Sequence, residues 1–282
     1  MIAIFRRFRL AQVRFCSKII RRLSRIPLLF IVIRSVRELS VFRNLFVALL
    51  GYNRPFATLD TASASIARFV KSSHEHPDYV ELHMMLAESA RPSDYPALFH
   101  IQTVLPHIRS VFDFGGNAGN LFYGYSRYLE LPQNLAWTVY DLPKNLDVGA
   151  RLAKEKREGR LRFTGNFTDA EETDLFIASG SLHYFDKPLF SIIAELKKKP
   201  TYVLINRTPF AAAPTLATVQ DGGGDKLFSC MVYNRDEMIK GFEHLGYATV
   251  DVWQAAELSL IIPGYPDRSA MSYSGMFFRQ KN

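Results

Sequence analysis

The chain has 282 residues, of which 48% are hydrophobic, and carries a formal net charge of +8. That length and apolar content suit one large domain, or a domain with an appendage, and exclude wholesale disorder. The charge is uneven: residues 1–50 hold eleven Lys/Arg and one acid, Glu38, whereas the remaining 232 residues hold 24 basic and 26 acidic side chains, so the basic character belongs to the N-terminal segment.

Residues 4–26 place Phe5, Phe8, Ala11, Phe15, Ile19, Leu23 and Ile26 at steps of three or four, which is helical spacing. Arg14, Lys18, Arg21 and Arg25 form a neighbouring basic stripe. Pro27 breaks the pattern, and a second helical series runs from Leu29 to Leu49, ahead of Gly51. Two arrangements fit the segment 1–50. One is a basic amphipathic helix on an anionic membrane surface, which would make the protein peripheral on the inner membrane face. The other is a solvated basic face on a helix packed against the main domain or a twin chain, as in a homodimer. Nucleic acid ranks below both, because no recognised binding motif accompanies the charge.

No apolar run reaches the roughly 18 residues of a transmembrane helix. The run at 28–33 is short and lacks a small-residue cleavage site, so no secretory signal is expected. Cys16 and Cys230 make no disulfide framework, and a reducing, cytoplasmic setting is the default.

Residues 51–108 read as helical between prolines 55, 77, 92, 96 and 106, with the clearest helices at 63–70 and 78–90. Their position ahead of the first strand suggests a cap over an active site. His74 and His76 flank Glu75, but no third ligand accompanies them, so a surface loop is expected and no metal.

From residue 110 strands and helices alternate. Strands are predicted at 111–114, 137–140, 161–164, 174–179, 202–206, 249–253 and 274–278, and helices at 120–128, 143–158, 187–198 and 236–245. The helix at 187–198 carries lysines in its last turn, as the macrodipole favours. Residues 209–230, with Gly222-Gly223-Gly224, read as a mobile loop. Alternation of this kind implies an α/β domain over 109–282, a doubly wound, mostly parallel sheet with helices on both faces.

The first strand ends in Asp113-Phe114-Gly115-Gly116-Asn117-Ala118-Gly119, and the second in Asp141. Glycines permit a tight turn and close approach of backbone to ligand, and Asn117 tolerates positive φ. A carboxylate ending the second strand can accept two hydrogen bonds from ribose hydroxyls, so this βαβ unit suits an adenosine-containing ligand. Ligands of open α/β sheets sit at the carboxyl ends of the strands. That rule adds Leu142, Asn166, Phe167, Ser179 and Gly180 to the cofactor rim, with Asn166 or Asp169 near the adenine amino group and Phe167 and Leu142 against the ring faces. His183 is the rim's histidine and a candidate general base; Tyr184 and Arg207 are candidate acceptor-binding residues.

The pattern D-x-G-x-G-x-G, with Asn117 at the middle glycine, resembles motif I of class I S-adenosylmethionine-dependent methyltransferases. With Tyr140-Asp141-Leu142-Pro143, Ser181-Leu182-His183-Tyr184-Phe185, Ile205-Asn206-Arg207-Thr208-Pro209 and Tyr273-Ser274-Gly275-Met276-Phe277-Phe278, the chain resembles a bacterial family of inferred class I methyltransferases associated with surface-polysaccharide genes. The resemblance implies a seven-stranded Rossmann-like sheet with a final antiparallel strand, preceded here by an N-terminal helical extension. It implies S-adenosylmethionine as cofactor and leaves the acceptor open; Leu182-His183-Tyr184-Phe185-Asp186 is also similar to the catalytic-histidine region of small-molecule O-methyltransferases, and O-methylation of a sugar, a polysaccharide precursor or another small molecule is the expected reaction. Rival readings are an RNA methyltransferase using the basic arm and a non-catalytic S-adenosylmethionine-binding scaffold at the membrane. Methyl transfer from a sulfonium needs alignment and exclusion of water rather than a metal or a nucleophile triad.

Overall fold

The structure, a computed structural model, describes residues 19, 22, 23, 26, 28–39, 53–67, 89–221 and 227–281. Most of the helix expected at 4–26, nearly all of that at 78–90, His74, His76 and the glycine run 222–224 lie outside the described residues. The elements among them are α1 (Leu29–Glu38), α2 (Leu59–Ile66), α3 (Asp94–Val104), β1 (Ser110–Phe114), α4 (Asn120–Tyr125), β2 (Ala136–Tyr140), α5 (Pro143–Glu155), β3 (Leu161–Thr164), β4 (Leu175–Ser179), α6 (Leu189–Ala194), β5 (Tyr202–Ala211), β6 (Leu216–Asp221), β7 (Leu227–Asn234), α7 (Arg235–His244), β8 (Tyr247–Ala255) and β9 (Tyr273–Gln280). The chain forms two compact units. One comprises residues 1–71, 211–234 and 260–271, the other 72–210, 235–259 and 272–282.

The second unit is built on a sheet. Val111, Phe112 and Phe114 of β1 and Leu175, Phe176 and Ile177 of β4 are almost wholly buried, as expected of central strands with both faces covered. β1 pairs in parallel with β2 and with β4, β2 with β3, and β4 with β5. β9 then joins β5 antiparallel, and β8 joins β9 antiparallel. The order 3-2-1-4-5-9-8 is the expected doubly wound, mostly parallel sheet, reversing direction between β1 and β4. Asp174 fixes its start: Oδ2 accepts the N–H groups of Arg109 (2.7 Å) and Ser110 (3.0 Å) and the hydroxyl of Ser110 (3.0 Å), so β1 enters alongside β4.

The registers bring the carboxyl ends together: Phe114 opposite Tyr140 and Ser179 opposite Asn206. Beneath them lies an aromatic layer in which the Phe114 and Tyr140 rings stack at 5.4 Å. α5 begins with Pro143 at its first position, where a missing N–H loses no bond.

Three expectations change. α6 stops at Ala194, so its lysines at 197 and 198 fall beyond the helix and make no last-turn macrodipole contact. Pro200 and the strand starting at Tyr202 demand extended backbone soon afterwards. β5 runs on past Asn206 to Ala211, with an irregularity between Ile205 and Thr208. Finally, residues 216–221 and 227–234 form an antiparallel pair where a loop was expected, adding two strands to the seven.

That pair belongs to the first unit. Leu216 faces Val232 and Asp221 faces Leu227 in register, and Ala217, Thr218 and Val219 are fully buried. Phe56 bridges to Ala217. α2 starts at a reciprocal cap in which the hydroxyls of Thr58 and Thr61 each accept the other's N–H at 3.2 Å.

Candidate functional site

A cavity of about 420 Å³ lies within the second unit, at the carboxyl ends of β1, β2 and β4. Its floor is the turn from Gly115 to Gly119. Gly115 (φ +74), Asn117 (φ +55) and Gly119 (φ +85) all adopt the left-handed region, one at each of the three alternating motif positions. Asn117 therefore supplies the backbone conformation of the glycine it replaces, helped by its own Oδ1, which accepts the N–H of Ala118 at 2.8 Å. The turn is also sterically closed from below. A Cβ at Gly115 would stand 2.3 Å from Ser181 Cβ, and one at Gly116 would stand 2.5 Å from the Asp113 carboxyl. The Ser181 hydroxyl ties the two layers by donating to the Phe114 carbonyl.

Asp113 lines the cavity and is 2% exposed. The Trp137 indole N–H donates to its Oδ2 at 3.2 Å. Burial raises its pKa to about 7; the Trp137 bond and Arg207 pull the other way, and Asp141 adds to the rise. An ionised Asp113 here is short of counter-charge, which suits a cationic ligand.

Asp141, also in the lining, organises the turn. Its Oδ2 accepts the Asn117 N–H at 2.7 Å, and its Oδ1 accepts the Leu142 N–H at 2.7 Å and the Asn145 amide at 2.6 Å. A carboxylate offers about four acceptor positions, so capacity remains for a ligand hydroxyl. Asn145 and Asn120 line the same cavity, and the side-chain oxygen of each is buried without a hydrogen-bond partner among the described residues. Buried acceptors are normally satisfied, so two together at a cavity wall suit a ligand carrying N–H or O–H groups.

The opposite wall comes from α3, β4 and β5. Arg207 sits at φ +52, at the irregularity in β5. Its Nη1 lies 3.2 Å from Asp94 Oδ1, and its Nη2 donates to Ser179 Oγ at 2.9 Å. Asp94 also accepts the Tyr125 hydroxyl and the Arg91 N–H, each at 2.9 Å. Burial holds Tyr125 well above the usual phenol range, and Asp94 beside it adds to the rise. Burial, then the guanidinium of Arg207, lowers the pKa of Arg91. Gly180 (φ +75) and Tyr184 complete this part of the rim, and Leu142 lines the cavity beside Asp141.

Four expected site residues stand outside the cavity lining. Gly119 shapes the turn but faces Leu161 and Tyr123. Asn166 is exposed and occupied as a cap: its Oδ1 accepts the Thr168 N–H at 3.2 Å, and its amide donates to Asp169 at 3.2 Å. Phe167 packs edge-on against Phe112, Phe114 and Tyr140 at about 6 Å, so it belongs to the aromatic layer beneath the site. His183 is 3% exposed, with its ring 4.2 Å from that of Tyr184 and 5.8 Å from that of Tyr273, and it too is core. Conversely, Arg91, Asp94, Asn120, Tyr125 and Asn145 line the cavity without having been singled out. Two of them left a local trace: Asn120, the first helical residue after the Gly119 turn, and Asn145, four residues beyond Asp141 in the first turn of a helix. Asp94 meets Arg207 across 113 residues, and nothing local announces that.

No protein-family model matches the chain, and no curated protein matches it. Among solved structures it is similar to 1,6-didemethyltoxoflavin-N1-methyltransferase from Burkholderia thailandensis, crystallised with 1,6-didemethyltoxoflavin and S-adenosylhomocysteine. The identity is 20%, over 82% of this chain and 93% of that one, with a TM-score of 0.48. An O-methyltransferase family protein from the same bacterium is 16% identical over 81% of this chain and 65% of its own, with a TM-score of 0.48. The N-terminal domain of EvdMO1 with SAH bound is 10% identical over 66% and 80%, with a TM-score of 0.46. Likeness at this level adds nothing to the strand order, and the doubly wound sheet rests on the pairing within this chain.

Proposed function

We propose that the cavity binds S-adenosylmethionine and that the protein is a methyltransferase acting on a hydroxyl of a small molecule, with a sugar or polysaccharide precursor as the acceptor class. The observation that carries the reading is the meeting, in one cavity, of a turn with three left-handed residues, the buried Asp113 beneath it and Asp141, which keeps an acceptor position free beside that turn. Asp141 takes a ribose hydroxyl on its remaining acceptor position. Asn120 and Asn145 accept from the nucleoside's other donors, and Asp113 faces the cationic end of the ligand. When bound, the cofactor supplies a methyl group already activated by the sulfonium charge.

The chain's contribution is then alignment and exclusion of water. Arg207 and Tyr184, on the wall away from Asp141, hold the acceptor. Arg207 is itself held by Asp94 and Ser179, so its fork is fixed before the acceptor arrives. His183 is given no part in this reading.

Calorimetry with S-adenosylmethionine on the wild type and Asp141→Ala tests it. The wild type should bind, and the variant should bind at least about tenfold more weakly, or roughly 1.4 kcal/mol. Equal heats from both would remove the ribose contact. Absence of any heat from the wild type would remove the cofactor itself. Formation of S-adenosylhomocysteine with a panel of hydroxylated acceptors then tests the transfer.

A further inference from the structure

The first unit carries a feature that the cavity does not explain. Among the described residues between 19 and 39, large aliphatic side chains are exposed repeatedly: Ile19, Leu23, Ile26, Leu28, Leu29, Ile31, Val32 and Leu39 all stand at 38% exposure or more. On α1 the exposure follows one face. Ile31, Val32 and Ser35 share one face at helical spacing, with Val32 56% exposed, and the flanking Leu28 and Leu39 are 75% and 52% exposed. Phe30, Ile33 and Val36 turn the other way and are partly covered.

α1 is seated within its own unit rather than loosely attached. The Arg34 guanidinium lies 4.7 Å above the Tyr265 ring. Gly264, at φ +85, lets the chain approach the α1 backbone so closely that a Cβ there would stand 3.2 Å from Arg34 Cα and N. The helix is therefore held by one side, and its apolar side is presented outward.

Charge decides among the occupants of such a face. Residues 1–50 carry eleven Lys/Arg against one acid, and Arg22 and Arg34 are among the exposed described residues. A second copy of the chain would bring two such basic segments together, because a two-fold contact sets the same patch against itself. Nucleic acid would use the arginines but gain nothing from Ile31, Val32 or Leu28, since phosphate contacts call for polar and basic groups. An anionic lipid surface uses both: aliphatic side chains enter the boundary between headgroups and acyl chains while the basic residues meet the headgroups. Among the described residues no helix is long and apolar enough to cross a membrane, so the contact is an interfacial one.

We propose that the outward face of α1, with the exposed Arg22 and Arg34, docks the protein on an anionic phospholipid surface. The full-length chain is mixed with vesicles of phosphatidylserine and phosphatidylcholine, and with vesicles of phosphatidylcholine alone, and the bound fraction is read by flotation at low and high salt. The wild type should float with the anionic vesicles, less at high salt, and weakly with the neutral ones. Ile31→Asp/Val32→Asp should lower binding to the anionic vesicles at least tenfold while leaving the circular-dichroism spectrum and melting temperature unchanged. Val32→Trp gives an independent readout, since its emission should shift to shorter wavelength on addition of anionic vesicles. Failure of the wild type to float overturns the proposal, as does flotation that the double substitution leaves intact. A dimer in sedimentation velocity that the double substitution dissolves, without vesicle binding, would identify a second copy as the occupant. Salt-dependent binding of single-stranded RNA that the double substitution leaves untouched, again without vesicle binding, would identify charge alone.

Discussion

At the scale of single residues the turn over the cavity is governed by which side chains tolerate a left-handed backbone. Asn117 at φ +55 stands between two glycines of the same sign. Asn117→Gly should therefore leave stability within about 1 kcal/mol of wild type, trading a small side-chain bond for freedom from strain. Asn117→Val should lose roughly 1–3 kcal/mol, because a β-branched residue is strained there. Urea denaturation of the two variants checks this, and equal losses would show that φ is not what the position selects. Asp113 yields a prediction in pH. Burial raises its folded-state pKa to about 7, so between about 4 and about 7 the native protein holds a proton that the unfolded chain has released. Its contribution to stability is full below the lower value and is lost as pH rises through about 7. Melting curves of ligand-free wild type and Asp113→Asn, taken from pH 5 to 8, should show wild type falling relative to the variant, by up to a few kcal/mol. Other carboxylates titrate in both proteins and cancel in the difference. Parallel curves would mean that Asp113 is ionised throughout.

At the scale of elements, the cavity wall depends on α3 being tied to β5. The Asp94–Arg207 pair does this with side chains only 6% and 14% exposed, and Tyr125 of α4 joins through its hydroxyl. Asp94→Ala strands a buried guanidinium, and its expected penalty is roughly 3–5 kcal/mol; Asp94→Ala/Arg207→Met should recover much of that, since a buried pair contributes little over an apolar replacement. Denaturant midpoints of the three proteins decide it, and a single-variant loss below about 1 kcal/mol would show that the pair is solvated. Strand-to-helix alternation was legible from the sequence because each element repeats its own period. The β6–β7 pair was not, because three consecutive glycines between its strands resembled a loop and its strands are buried on both faces at 216–219 and 230–233, so no in-out alternation marks them. α6 was read too long because the lysines at 197 and 198 continue a helical pattern that the approach to β5 cuts off.

At the scale of the whole molecule, the chain separates a charge-balanced body from a strongly basic beginning, and it divides into two compact units. Cys230 on β7 reports on the first of these. It is fully buried, and burial pushes its thiol up to about 12, so in a Cys16→Ser chain it should resist a thiol reagent at neutral pH until the unit opens. Labelling should then track unfolding as denaturant is added. Reaction at the rate of an unfolded thiol under native conditions would show the hairpin open in solution.

Periodicity and turn chemistry are local, and they were enough to determine the parallel sheet, the Gly115–Gly119 turn and the acid that closes the second strand. A residue's distance from a cavity is not local. Phe167 and His183 have the composition of ligand-facing residues, yet each is turned into the core by aromatic neighbours that come from other strands. Asp94 has no motif to announce it and meets Arg207 only because the fold brings α3 beside β5, whereas Asn120 directly follows the Gly119 turn and only the burial of its unpartnered side-chain oxygen was hidden from the sequence. Side-chain direction is decided by packing between segments far apart in the chain, and that information exists only once the sheet has formed.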